Sequence, residues 1–109
     1  MKWEFIYYSN RVKKTISDLP EELFEEFIAM RDIMIDKGPN IGMPYTRAMG
    51  DGLFEIRLNG KDGIARVFYC TIDKHEIMVL HSFIKKTQAT PNKELQLARK
   101  RMKEVKQYG

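Results

Sequence analysis

The chain has one cysteine, Cys70, and two histidines, His75 and His81, in 109 residues. One thiol cannot close an internal disulfide, and histidines away from any cysteine cluster give no metal-site spacing, so neither a metal nor a cofactor is expected. Cys70 lies within Arg-Val-Phe-Tyr-Cys-Thr-Ile and reads as a small residue of a buried strand. No apolar run approaches the roughly 18 to 20 residues of a membrane span. Glu4 stands where a signal peptide would be building its apolar region, which points to a cytoplasmic address without membrane contact. The chain also lacks a Gly-x-x-x-x-Gly-Lys-Ser/Thr loop, a Gly-x-Ser-x-Gly elbow and a His-Glu-x-x-His helix, which removes three well-marked enzyme classes. There are no repeats or low-complexity stretches, and the length fits one domain over residues 1–109.

What the chain does have is charge, unevenly placed. Its net charge is only +4, but residues 85–109 hold eight Lys or Arg against two Glu, which leaves residues 1–84 at about −2. Such polarisation suits a polyanion or an acidic protein partner bound through one face; the bland alternative is a lysine-rich helix face that keeps the chain in solution.

The periodicities give an element order. Trp3 to Tyr8 is aromatic and β-branched, and Ser9 or Asn10 can cap a short helix running through Ile16. Pro20 with Glu21 and Glu22 opens a second helix, in which Leu23, Phe27, Met30 and Met34 recur at helical spacing until Gly38-Pro39 ends it. Its other face carries Glu21, Glu22, Glu25, Glu26, Asp32 and Asp36 and reads as solvated. Three strands follow, Leu53 to Leu58, Ile64 to Ile72 and Glu76 to Ile84, joined by Asn59 to Gly63 and by Asp73 to His75. Tyr45 to Met49 can add a short strand before them. Thr90-Pro91 then starts a last helix with Leu95, Ala98, Met102 and Val105 on its apolar stripe. The expected fold is α+β: strand, helix, helix, an antiparallel meander of three or four strands, and a C-terminal helix, with the helices on one face of the sheet.

The most informative stretch is Val79 to Pro91, where an apolar strand ends in Lys85 and Lys86 just before a helix start. In a meander, Arg57 at the end of one strand and Arg66 early in the next reach the same hairpin end, and the third strand finishes there with its two lysines. Like charges brought that close repel unless an anion or a carboxylate joins them, so their convergence points to a site. A structural account stands beside it: Arg57 could pair with Glu55 or an acid of the second helix, and Arg66 with Asp62, each pair worth under about 1 kcal/mol if exposed. His81, in an apolar strand, reads either as a hydrogen-bonded core residue or as a proton carrier, and alternation does not settle its face.

At these residues the chain resembles a known family. The blocks Gly52-Leu53-Phe54-Glu55-Ile56-Arg57, Ala65-Arg66-Val67-Phe68-Tyr69 and Leu80 to Thr87, followed by Thr90-Pro91, Glu94 and Ala98, are similar to RelE/HigB-type toxins of bacterial type II toxin-antitoxin systems, above all their phage-derived relatives. The resemblance covers about residues 50 to 105. It implies a small α+β domain that cuts messenger RNA in the ribosomal A site and is held inactive by a cognate antitoxin, expected to be a helix-turn-helix protein. Attack of a ribose 2′-OH on the adjacent phosphate needs a proton acceptor, a proton donor and cations, and no metal. By position, Arg66 matches the arginine before the aromatic end of the second meander strand, and Lys86 a basic residue at the end of the third. Arg57 and Arg66 then stabilise the phosphate, Lys86 acts beside them, and His81 or Lys85 aids proton transfer. Lys61, Lys93, Arg99 and Lys100 are the expected contacts to RNA phosphates. Two other readings stay open: a gyrase poison resembling the ParE type, which needs no nuclease site, and a non-toxic module that only receives an antitoxin segment.

Overall fold

The computed structural model describes residues 2–61, 63–86 and 89–108. The order is β1 (Glu4–Tyr7), α1 (Asn10–Ser17), α2 (Glu21–Lys37), β2 (Thr46–Gly50), β3 (Leu53–Asn59), β4 (Ile64–Ile72), β5 (Glu76–Lys85) and α3 (Asn92–Tyr108). The expected elements are all present, with shifts of a residue or two at their ends. Ser9 caps α1, its hydroxyl accepting the Val12 N–H at 3.2 Å. Pro20 stands at the N-cap of α2 with Glu21 and Glu22 in the first turn, and Gly38 ends that helix at φ 100°. Pro91 sits just before α3, its carbonyl accepting the Leu95 N–H at 3.3 Å.

The sheet has five strands in the order β1-β5-β4-β3-β2. The meander β2 to β5 is antiparallel, as expected, while β1 adds a fifth strand parallel to β5, pairing Glu4–Tyr7 with Glu76–Val79. The ladder between β4 and β5 slips once: Tyr69 pairs with Val79 but Phe68 with His81, which leaves Leu80 as the extra residue of a β-bulge.

The helices do not share one face. On one side Val12 and Ile16 of α1 and Leu23, Phe27, Met30 and Met34 of α2 pack against Ile56, Leu58, Ala65, Val67, Tyr69, Ile77 and Val79. On the other, Ala98 and Met102 of α3 pack against Leu53, Phe68, Cys70, Ile72 and Leu80. The expectation of a single covered face fails because both sets of alternate residues in β4 are buried and each needs a cover. Arg99 and Arg101 fix α3 in place: Arg99 donates to the carbonyls of Met49 (2.7 Å) and Gly50 (3.2 Å), and Arg101 to that of Leu80 (2.8 Å). Among the described residues no helix is long and apolar enough to cross a membrane.

Candidate functional site

The register lays three rows of side chains across the sheet on the side that α3 partly covers. Arg57 pairs with Arg66 and Arg66 with Phe83; Arg47 pairs with Glu55, Glu55 with Phe68 and Phe68 with His81; Asn59 pairs with Ile64 and Ile64 with Lys85. Phe68 belongs to the core beneath α3, which fixes the side these rows face. Arg47, Arg57, Arg66 and Lys85 are thus gathered at one end of one sheet face, with Glu55 in their midst.

Two like charges directly opposite in a ladder are destabilising unless something joins them. Glu55, fully buried, does so: Arg57 Nη1 donates to Glu55 Oε2 at 3.3 Å, and Arg66 Nε lies 3.9 Å from Oε1. Arg66 is 3% exposed and also donates through Nη1 to the Ala65 carbonyl at 3.0 Å. Burial pushes the Arg66 guanidinium below its ordinary value, with Arg57 and Arg47 adding and Glu55 opposing. The Lys85 ammonium is lowered likewise, by loss of solvent first and then by Arg66, Arg57 and Arg47, again against Glu55.

Beside the cations lies a second polar pair. His81 Nε2 is 2.8 Å from Glu94 Oε1, which ties β5 to the first turn of α3. The His81 ring lies nearly parallel to that of Phe83 at 6.0 Å, and Phe83 in turn stacks on Phe68 at 5.8 Å. His81 and Ser82 also line a cavity of about 170 Å³ between α1 and α3, with Arg11, Val12, Thr15 and Arg101. The face therefore presents several guanidinium and ammonium donors, an imidazole hydrogen-bonded to a carboxylate, and a half-buried aromatic. Among the described residues no cluster of His, Cys, Asp and Glu is suited to hold a metal ion.

A family model for phage-derived Gp49-like proteins (DUF891) matches residues 14–103, from α1 to the last turns of α3. The chain belongs to that family. Gp49-like proteins are a phage-derived family of RelE/HigB-type toxins, the group that the sequence resembles. Among solved structures, this Gp49-like chain is similar to the archaeal RelE of a RelE-RelB complex from Pyrococcus horikoshii OT3. The identity is 20% and the TM-score 0.57, over 82% of this chain and 100% of that one. At that identity the likeness is one of fold, and the fold is the RelE-like α+β arrangement. No curated protein matches the chain at a significant level.

In this Gp49-like chain, Arg57, Arg66 and Lys85 come together as the meander implied, and His81 lies on the same face. Lys86 follows the end of β5 and is exposed, with no register position on that face. Crowding by the arginines falls on Lys85. Lys61 is exposed in the β3–β4 turn, and Lys93 and Lys100 are exposed on α3. Arg99, expected to contact RNA, already donates to two carbonyls of β2. Asp62, considered as a partner for Arg66, and Thr87 lie outside the described residues. Sequence reasoning missed Arg47, the His81–Glu94 pair and the depth of Glu55. The last had a signal, because an acid in the middle of a strand that alternates apolar residues on one face needs a buried partner.

Proposed function

We propose that this Gp49-like chain is the toxin of a type II toxin-antitoxin pair and cuts messenger RNA on the ribosome by 2′-OH attack on the adjacent phosphate. The observation that supports this most is the cross-strand pair of Arg57 and Arg66, flanked by Arg47 and Lys85 on a face that also carries an imidazole. Guanidiniums cannot usefully lose a proton near neutral pH, so the arginines bind the phosphate and stabilise the charge that builds on it. His81, oriented by Glu94, or Lys85, its basicity lowered, moves the proton. Lys86 acts at the rim beside them, and Lys61, Lys93 and Lys100 hold the RNA backbone. The partner is a cognate antitoxin, a reading supported by the solved relative, which is a complex of RelE with RelB; its helix-turn-helix type is what the resemblance implies.

Mapping RNA 5′ ends after brief induction tests the reading. Cleavage within translated messages is expected, and Arg66→Ala is expected to lower it by at least about 100-fold, the scale of losing one preorganised transition-state donor. Lys85→Ala should cost more than Lys86→Ala. Growth arrest that survives Arg66→Ala with messages intact would sink the nuclease reading, and DNA damage signalling alongside it would select gyrase poisoning. Growth untouched by high expression would leave only the antitoxin-binding module.

A further inference from the structure

The Glu55 side chain is fully buried, set among Arg47, Arg57, Arg66 and Lys85. Its contacts are loose. Charge-assisted N–H···O bonds usually run about 2.7–2.9 Å, whereas the Arg57 bond is 3.3 Å and the Arg66 approach 3.9 Å. Arg66 Nε and Glu55 Oε1 face each other, both buried and neither with a hydrogen-bond partner among the described residues. One carboxylate is therefore shared between two guanidiniums, and neither receives the bidentate grip that suits it. Arg66, moreover, is 3% exposed, while the Arg57 side chain is 24% exposed and Arg47 lies on the surface. An incoming anion meets Arg47 and Arg57 before it can meet Arg66.

We propose that Glu55 is a built-in counter-anion: it holds Arg57 and Arg66 where a phosphate will sit, and a bound phosphate takes the two guanidiniums over from it. A phosphate group has oxygens enough to satisfy both arginines at once, including the Arg66 Nε hydrogen that now has no acceptor. Glu55 is then a positioning residue. It keeps the cations from flying apart while the face is empty, and it weakens phosphate binding by competing for the same donors. The inference deepens the nuclease reading in naming what the RNA phosphate displaces, but it needs only a phosphate to be tested.

Glu55→Gln keeps the shape and removes the charge. At constant ionic strength, inorganic phosphate is expected to bind Glu55→Gln at least 10-fold more tightly than the unaltered chain, by calorimetry, and to raise its melting temperature more. A merely structural glutamate predicts the opposite, since a loosened site binds more weakly; equal or weaker affinity overturns the proposal. Should that variant fail to fold, the unaltered chain is titrated with phosphate and followed by NMR. The Nε–Hε signals of Arg57 and Arg66 and the carboxylate carbon of Glu55 are expected to shift together, and a carboxylate signal that stays still at saturating phosphate also overturns the exchange. Neither measurement reads RNA cleavage. A chain that shows the exchange and cuts nothing refutes the nuclease reading and leaves this one in place.

Discussion

Cys70 shows how far one residue can be read from its neighbours alone. Its place in an apolar run marks it as core, and it is fully buried in the layer beneath α3. Burial pushes its thiol from the ordinary 9.0 up to about 11, with Lys106 opposing. A group whose value is raised by folding contributes stability that is complete below the unfolded value and lost as pH rises through the folded one. Between pH 9 and 11 the unaltered chain should therefore lose about 2–3 kcal/mol that a Cys70→Ala variant does not lose, at 1.36 kcal/mol for each unit. Denaturant melts of both at pH 8, 9, 10 and 11 check this, and parallel curves would refute it. Arg57 and Arg66 are equally legible one by one, because each lies near the hairpin end of its strand. Single positions do not show that Glu55 lies fully buried between Arg57 and Arg66. An acid within the apolar alternation of β3 signals a buried partner, but which cations reach it is set by the pairing of β3 with β2 and β4.

At the scale of elements, the bulge at Leu80 decides which lysine joins the site. Up to Val79 the odd-numbered residues of β5 face α1 and α2, as Ile77 and Val79 do. Without the extra residue this alternation would continue, turning His81 toward those helices and carrying even-numbered positions, Lys86 among them, to the side of Arg66. The slip reverses it, so His81, Phe83 and Lys85 take that side instead. The sequence around Leu80 has no glycine or turn residue to announce a bulge, which is why strand length and direction were legible and the face of each residue was not. Where glycine does speak, the structure agrees. Gly38 closes α2 at φ 100°, ψ 179°, and a Cβ there would lie 3.4 Å from Trp3 Nε1. Gly38→Ala is expected to cost about 1–3 kcal/mol, the usual cost of forcing a side chain into so sparsely populated a conformation. The denaturation midpoint should fall while phosphate affinity stays the same, because Gly38 ends a helix on the side of the sheet opposite the cations.

Over the whole molecule the charge asymmetry becomes a polarity across the sheet. Glu21, Glu25, Glu26, Asp32 and Asp36 are exposed on α2 on one side; the arginine cluster and the exposed Lys93, Lys100, Lys103 and Lys106 of α3 lie on the other. The composition told the sign of each segment. It could not tell that the sheet would separate them, because that follows from α2 and α3 covering opposite faces. Nor could it sort the cations of α3 into those that hold the helix and those that stay exposed. Arg99 and Arg101 tie the helix to β2 and β5, while Lys93, Lys100, Lys103 and Lys106 are exposed. The division has a measurable consequence. Each lysine that neutralises a phosphate of single-stranded RNA adds about 0.7 to the slope of log affinity against log salt. The double variant Lys93→Ala, Lys100→Ala should therefore bind RNA with a slope shallower by about 1.4, if each lysine meets one phosphate, and with an unchanged melting temperature. Arg99→Ala should do the reverse, lowering the melting temperature by releasing the carbonyls of Met49 and Gly50 and moving the slope little. Fluorescence anisotropy across a salt series, with a melt of each variant, separates the two. A slope that responds to Arg99 and ignores the lysines would place the RNA elsewhere, away from the outer face of α3 and against the turn between β2 and β3.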